Sequence, residues 1–198
     1  MKKILVYSWL VLLGVMMAVL FWYTEWKYSL PTPVPANYAA VPEGTFIHLP
    51  GVSTSVFNRP VFLHFFNPDC PCSRFNIAHV KKLVQQYSNK VDFKIVLVTS
   101  KRYTQKEIQE KFGISLPVLQ DTTLATLCGV YSTPQAVIID NNHKLYYRGN
   151  YNRSRYCSDN KTNYAQNALV SLLSKRYQFS FDPMAVKAYG CQLPGCPK

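Results

Sequence analysis

Residues 61–75, VFLHFFNPDCPCSRF, constrain the fold more than any other stretch of the sequence. They begin with a short, continuous apolar run, which is typical of a central strand covered on both faces. Apolar residues then recur at helical spacing over 73–87, which predicts an amphipathic helix. Cys70 and Cys72, with Pro71 between them, lie at the junction. A buried strand that runs directly into a helix is typical of an α/β fold with parallel strands.

The rest of the central region continues this alternation of strands and helices. Thr104, with Glu107 three residues later and Gly113 at the end, marks a capped helix. The patterns predict, in order, a strand at 91–100, this helix at 104–113, a short strand at 116–121, a short helix at 122–130, a hairpin with an Asn-Asn turn at 135–149 and a last helix at 162–176. The order βαβα, a short connection and ββα predicts a mixed sheet flanked by helices on both sides.

The N-terminus carries an apolar segment that bears on the compartment. Lys2 and Lys3 precede an uncharged run over 4–23, about as long as a helix needs to cross a bilayer. The lysines favour a cytoplasmic N-terminus, and the aromatic residues at the far end favour the lipid–water interface. We therefore expect a single-pass protein of the inner (cytoplasmic) membrane, with its domain facing the periplasm or the cell exterior. The alternative is a cleaved signal peptide, but the run is long for one and lacks a small-x-small cleavage pattern.

Composition divides the chain into regions and agrees with export. Four prolines between residues 29 and 45 indicate an extended, semi-rigid spacer. Six cysteines in a domain of this size indicate an oxidising compartment. The predicted regions are a membrane anchor at 1–28, a proline-rich linker that leads into the domain at 29–60, the domain itself at 61–176 and a cysteine-containing tail at 177–198.

The formal net charge is +12, and much of it lies between residues 144 and 176. A basic surface near a membrane attracts anionic headgroups or an acidic partner, and a merely solvated face gives the same pattern. No nucleic-acid recognition motif is present, so we expect no nucleic-acid partner.

Two motifs in the correct order resemble the thioredoxin-like superfamily, on its redoxin side. FFNPDCPCS stands in the place of the family's strand-to-helix active-site segment, and VYSTPQAVIID in the place of its cis-proline segment. The resemblance covers about residues 61–176 and implies a thioredoxin-like mixed sheet. It also implies a cis Thr133–Pro134 bond that lies against Cys70 and leaves the Thr133 backbone to bind a substrate peptide.

Cys70 is the predicted nucleophile. A cysteine at a helix N-terminus meets unpaired backbone N–H groups and the positive end of the helix dipole, and both favour the reactive thiolate. The chain departs from the family's Cys-x-x-Cys pattern, because Ser73 takes the place of the second cysteine and Cys72 falls between. Residues two apart in a helix point to opposite sides, so a Cys70–Cys72 disulfide would require the first turn to open. Either that unusual bond forms, or the resolving thiol comes from elsewhere.

The tail supplies candidates for that thiol. One option is that Cys191 reaches back to Cys72 or Cys70 and acts as the resolving cysteine. The other is that Cys191 pairs with Cys196 or Cys157 and staples the tail to the domain, with Cys157 as the expected partner of a tail cysteine. Cys128 lies on an apolar short helix and is expected to be a buried free thiol.

These residues predict a membrane-anchored, extracytoplasmic thiol-disulfide oxidoreductase without a cofactor. Its expected partners are a protein thiol or disulfide and a membrane-bound electron donor. A second hypothesis is a Cu(I) carrier of the Sco type, since the thiolates of Cys70 and Cys72 suit that ion. His64 is expected in the core, and neither His79 nor His143 is a compelling third ligand.

A third hypothesis is a thiol peroxidase. Peroxiredoxins of this superfamily place a threonine and a proline ahead of their cysteine, but here Asn67 and Asp69 flank Pro68 and no threonine precedes Cys70 in this segment. Arg148 is a candidate guanidinium for such a site, although an exposed hairpin arginine explains it more simply.

Overall fold

A computed structural model describes residues 2–49, 59–154, 156–175 and 180–193, without the side chains of 27–29, 71 and 72. The chain divides into two compact units, Met1–Pro31 and Thr32–Lys198.

The first unit is a single helix, α1 (Lys2–Ser29). Its portion Lys2–Trp26 is long and apolar enough to cross a membrane. The large apolar side chains along it are exposed rather than buried in a core. The predicted N-terminal apolar helix is therefore confirmed, and its length and composition suit either a membrane anchor or a signal sequence.

The second unit is built around two sheets and the helices that pack on the larger one. The strands are β1 (Val61–Phe66), β2 (Asp92–Leu97), β3 (Val118–Leu119), β4 (Ser132–Thr133), β5 (Gln135–Ile139), β6 (Leu145–Gly149) and β7 (Cys191–Gln192). The helices are α2 (Pro71–Tyr87), α3 (Gln105–Phe112), α4 (Thr123–Leu127), α5 (Tyr164–Leu173) and α6 (Pro183–Val186), with a 3-10 turn at Asn160–Thr162.

The larger sheet has five strands in the order β3-β2-β1-β5-β6. Strands β1, β2 and β3 are parallel, whereas β5 is antiparallel to both β1 and β6. β4 and β7 form a separate antiparallel pair. The predicted mixed sheet flanked by helices is confirmed, and the carboxyl ends of its parallel strands meet at the edge where α2 begins.

The core lies on both faces of the central strand. Every residue of β1 is buried, with Phe62 and Phe66 on one face and Leu63 and Phe65 on the other. Helices α2, α3 and α5 cover the first face, and α4 with part of the segment before residue 50 covers the second. This two-sided burial explains why β1 is apolar along its whole length.

The predicted helices and strands differ from the observed ones mainly at their ends. Thr104 and Glu107 form the predicted capping box of α3, and Gly113 ends that helix in the left-handed conformation. The strand expected at 116–121 shrinks to the two residues of β3. The sequence patterns did not predict β4, α6 or β7, because such short elements carry no periodicity.

The proline-rich segment has little regular structure but is attached to the domain, whereas an extended spacer was expected. The backbone N–H of Thr32 donates to Ala188 O at 2.9 Å, and the Tyr38 hydroxyl donates to Gly129 O at 2.9 Å. Further along, Ile47 and Leu49 are buried in the core. The segment therefore lies along the surface of the domain that it precedes.

Candidate redox site at Cys70

Cys70 lies where α2 begins, at the carboxyl end of β1. It is the N-cap residue of α2, with an extended backbone and with Pro71 as the first helical residue. The Cys70 N–H donates to Asn67 O, and the Ser73 N–H donates to Cys70 O, both at 3.1 Å. The tight turn after a buried strand thus holds the cysteine at the helix start, where the sequence predicted it.

Asp69 joins the turn before Cys70 to the loop after β2. Its carboxylate accepts hydrogen bonds from the Tyr103 hydroxyl at 2.7 Å, the Lys101 ammonium at 3.3 Å and the Thr99 hydroxyl at 3.4 Å. The Tyr103 hydrogen bond is the main cause that lowers the pKa of Asp69. An ionised Asp69 therefore fixes this turn at the edge of the parallel strands.

Ser73 stands where thioredoxin-like proteins have their second active-site cysteine, and it is fully buried. Its hydroxyl accepts a hydrogen bond from the Asn67 N–H at 3.3 Å. The residue therefore ties the turn to the first helical turn, and a thiol would be a much weaker acceptor there.

The second predicted motif forms one side of the site. The Thr133–Pro134 peptide bond is cis, as the resemblance implied. Thr133 and Ser132 form β4, which pairs with β7 so that Thr133 lies opposite Cys191 and Ser132 opposite Gln192. The backbone that was expected to bind a substrate peptide is thus paired with the chain's own tail.

A disulfide joins Cys70 to Cys191, 121 residues apart in the sequence, with their Cα atoms 6.8 Å apart. Of the two arrangements left open for the tail, the structure has the one in which Cys191 reaches back to the start of α2. The expectation that Cys157 pairs with a tail cysteine is wrong, because Cys157 is a free thiol. The predicted roles of the Cys72 side chain and of Cys196 lie outside the described residues and stay predictions.

Cys128 and Cys157 are free thiols away from this disulfide. Cys128 is fully buried, as expected, and burial raises its pKa to about 12. Cys157 donates a hydrogen bond to Asn76 Oδ1 at 3.3 Å, and burial raises its pKa to about 12 as well. Both therefore stay protonated near neutral pH and are poor nucleophiles there.

The histidines named from the sequence lie in structural positions. His64 is fully buried, and its Nδ1 lies 2.6 Å from the Tyr151 hydroxyl, so the expected core position is confirmed. Burial lowers the pKa of His64 to about 3 and also lowers that of His79. His143 lies in the hairpin turn and stacks on Phe46. Within the part of the chain that the structure describes, no group of three or more His, Cys, Asp or Glu side chains is placed to hold a metal ion.

Arg148 is half-buried, not exposed as expected. Its guanidinium donates to Val41 O at 2.9 Å and to Cys128 O at 3.3 Å. It therefore joins the segment before the domain to the end of α4, which is a structural role.

Sequence reasoning missed the residues that hold the tail. The Asn150 amide donates to Met184 O at 2.8 Å and to Lys187 O at 2.6 Å, and its oxygen accepts from the Tyr189 N–H at 3.4 Å. The Thr32 hydroxyl donates to Gly190 O at 3.0 Å. No local pattern predicted these roles, because each contact joins segments far apart in the chain.

Comparison with known families places the chain. Residues 48–193 match the family model described as "Domain of unknown function (DUF6436)". The chain belongs to the DUF6436 family. The match runs from the segment before β1 to the residue after β7, so it includes both cysteines of the disulfide. No curated protein matches the sequence.

Solved structures similar to this DUF6436 protein agree with the fold. A hypothetical protein from Sinorhizobium meliloti has 15% identity and a TM-score of 0.59 over 78% of this chain and 95% of its own. An uncharacterized conserved protein from Geobacillus kaustophilus has 20% identity and a TM-score of 0.60, over 85% and 100%. The thioredoxin domain of a thiol-disulfide oxidoreductase from Bacteroides vulgatus has 13% identity and a TM-score of 0.49, over 67% and 99%. The five-stranded mixed sheet, its flanking helices and the cis Thr133–Pro134 bond are those of the thioredoxin-like fold that the two sequence motifs implied.

Proposed function

We propose that this protein is a membrane-anchored thiol-disulfide oxidoreductase that works outside the cytoplasm through Cys70. The observation that supports this most directly is the disulfide between Cys70, at the start of α2, and Cys191 in the tail. A helix N-terminus stabilises a thiolate through its free N–H groups and its dipole. The pair therefore combines a cysteine suited to attack with a second cysteine within bonding reach of it.

The exchange proceeds through a mixed disulfide. In the reducing direction, the Cys70 thiolate attacks a substrate disulfide, forms a bond to one sulfur and releases the other as a thiolate, which takes up a proton. The Cys191 thiolate then attacks Cys70 Sγ, forms the intramolecular disulfide and releases the second substrate thiolate, which takes up the proton that Cys191 lost. The substrate gains two electrons and the protein loses two. In the oxidising direction the same steps run backwards.

The partners we propose follow from this chemistry. The substrate is a protein thiol or disulfide, and a membrane-bound dithiol donor returns the Cys70–Cys191 disulfide to the reduced form. Thiol exchange needs no cofactor. Helix α1 supports anchoring through its length and apolar composition, and the six cysteines support an oxidising compartment.

The test uses the full-length protein in detergent, as wild type and as the single variants Cys70→Ser, Cys72→Ser and Cys191→Ser. We expect Cys70→Ser to abolish both the reduction of insulin and the trapping of mixed disulfides. Cys191→Ser should accumulate the mixed disulfide and slow turnover at least about tenfold, since it removes a thiol held at high effective concentration. The matched control is Cys128→Ser, which changes a buried free thiol.

Other outcomes would assign another function. If Cys72→Ser instead of Cys191→Ser traps the mixed disulfide, Cys72 is the resolving thiol. Equal loss of stoichiometric Cu(I) in Cys70→Ser and Cys72→Ser, with no redox activity to lose, would make the protein a copper carrier. Consumption of hydrogen peroxide that depends on Cys70, without insulin reduction, would make it a peroxidase.

A further inference from the structure

The tail makes the two contacts that a bound cysteine peptide would make at this site. Its strand β7 pairs with β4 in antiparallel fashion, with Cys191 opposite Thr133. The Cys191 sulfur is at the same time bonded to Cys70. One short segment thus combines a backbone pairing beside Pro134 with a disulfide to the predicted nucleophile.

The edge of β4 that β7 occupies has room for a single strand. A strand edge presents one row of N–H and C=O groups, and each row pairs with one neighbouring strand. Just beyond β7, the Leu193 N–H donates to Tyr131 O at 3.4 Å, so the tail lies along this edge for at least three residues. An external peptide can pair with Thr133 only after the tail has left.

Gly190 allows the tail to lie this close. Its φ is +151°, in the region that favours glycine. A Cβ at this position would lie well inside van der Waals contact with the Thr133 carbonyl oxygen, which is backbone and cannot move aside cheaply. The Thr32 hydroxyl, which donates to Gly190 O, also holds this residue in place. Any larger residue at position 190 should therefore separate the tail from β4.

The tail is anchored just before the segment that would have to move. Ala185 and Ala188 are buried, and the Asn150 N–H donates to Ala185 O at 2.8 Å. Together with its side-chain contacts to residues 184, 187 and 189, Asn150 fixes the chain up to Tyr189. Release of residues 190–193 alone would clear β4 while keeping Cys191 on a short tether.

We infer that residues 190–193 are a tethered occupant of the substrate site, and that an extended protein segment bearing a cysteine exchanges with them on the edge of β4. This inference rests on the proposed function. In the mixed disulfide the substrate segment holds the β4 edge and Cys70. When Cys191 attacks Cys70 Sγ, β7 returns to that edge, so resolution of the disulfide and displacement of the product are one event. The preferred substrate is an extended polypeptide, rather than a small thiol.

The test compares a peptide with a small disulfide that has the same leaving group. The peptide is Tyr-Gly-Cys-Gln-Leu, the sequence of residues 189–193, activated as its 2-thiopyridyl disulfide, and the small probe is 2,2′-dithiodipyridine. The protein is full-length Cys72→Ser/Cys191→Ser in detergent, so the adduct stays on Cys70. Release of 2-thiopyridone gives the rate, and mass spectrometry of digests locates the adduct.

Two further changes remove the tail from β4: Gly190→Val, and a stop codon after Tyr189. We expect each to speed the reaction of the peptide about tenfold relative to the small probe, since pairing at the β4 edge becomes free. The matched control is Gly14→Val, where an added side chain meets no neighbouring atom.

The inference would be overturned if the rate of reaction with the peptide stayed unchanged in both variants. It would also be overturned if the rates for the peptide and the small probe rose equally, since the tail would then only cover the Cys70 sulfur. If Cys70 reacts with neither probe in any variant, the proposed function fails and this inference fails with it.

Discussion

The cysteines of this protein differ in reactivity because their surroundings differ. Cys70 occupies the N-cap position of α2 and is bonded to Cys191. Cys128 and Cys157 are largely removed from water, which disfavours the charged thiolate and raises the pKa of each to about 12. Identity as a cysteine therefore says little about chemistry, and position on the fold decides it.

Alkylation of the reduced native protein with iodoacetamide at pH 8 should distinguish Cys70 and Cys191 from the free thiols Cys128 and Cys157. With a pKa of about 12, roughly one Cys128 or Cys157 in ten thousand is a thiolate at this pH, so both should label slowly. Cys70 and Cys191 should label first, as measured by mass spectrometry of digests. Raising the pH toward the pKa should speed labelling of Cys128 and Cys157, provided that the protein stays folded. The same reaction in denaturant is the control. Rapid labelling of Cys128 in the native protein would contradict this prediction.

At the scale of the element, the start of α2 lacks the second cysteine of the family pattern. Ser73 fills that place and binds the preceding turn through the Asn67 N–H. The second thiol comes instead from β7, which the β4 edge holds opposite Thr133. A strand thus supplies what a helical turn supplies in proteins with a Cys-x-x-Cys motif.

Ser73→Cys should restore a local partner for Cys70. Residues three apart lie on the same face of a helix, so the sulfur at position 73 would be directed toward that of Cys70. Loss of the Ser73 acceptor should cost about 1 kcal/mol of folding free energy. We expect Cys191→Ser/Ser73→Cys to turn over insulin faster than Cys191→Ser does. Digests should contain a disulfide between Cys70 and the thiol introduced at position 73. The control is Cys191→Ser/Ser73→Ala, which should stay slow. Absence of the new disulfide after mild oxidation would show that the first turn directs this side chain elsewhere.

At the scale of the whole molecule, the site around Cys70 is assembled from parts of the domain that are distant in sequence. Thr32, near the start of the second unit, contacts both Ser132 and Gly190. The disulfide spans 121 residues. The residues matched by the DUF6436 model end at the tail that completes the site. The Cys70–Cys191 disulfide therefore depends on contacts from the whole domain.

The position of α1 predicts the topology of the whole protein. Lys2 and Lys3 precede the apolar run, so the N-terminus should stay in the cytoplasm. Alkaline phosphatase fused after Lys198 should be active, because it needs export to form its disulfides, and the fusion should stay in the membrane fraction. Deletion of residues 4–23 is the control and should abolish the activity. A mature protein that begins after the apolar run would show a cleaved signal instead of an anchor.

The sequence by itself determined those features that arise from neighbours in the chain. The continuous apolar run predicted a strand buried on both faces, and the position of Cys70 directly after it predicted a cysteine at a helix start. Thr104 and Gly113 marked both ends of α3. Local signals suffice here because hydrophobic periodicity and capping act over a few residues.

Only the tertiary structure decided which thiol meets Cys70. The sequence left Cys70 with either Cys72 or Cys191 as its partner, and left Cys191 free to pair instead with Cys157 or Cys196, because spacing does not choose among the combinations of six cysteines. The choice depends on Asn150, Gly190 and the edge of β4, which bring the tail to the helix start. Each of these contacts joins segments that are distant in the chain, and each segment contributes only a few residues to it. No periodic pattern records them, because they stabilise the tail only when the rest of the domain is already in place.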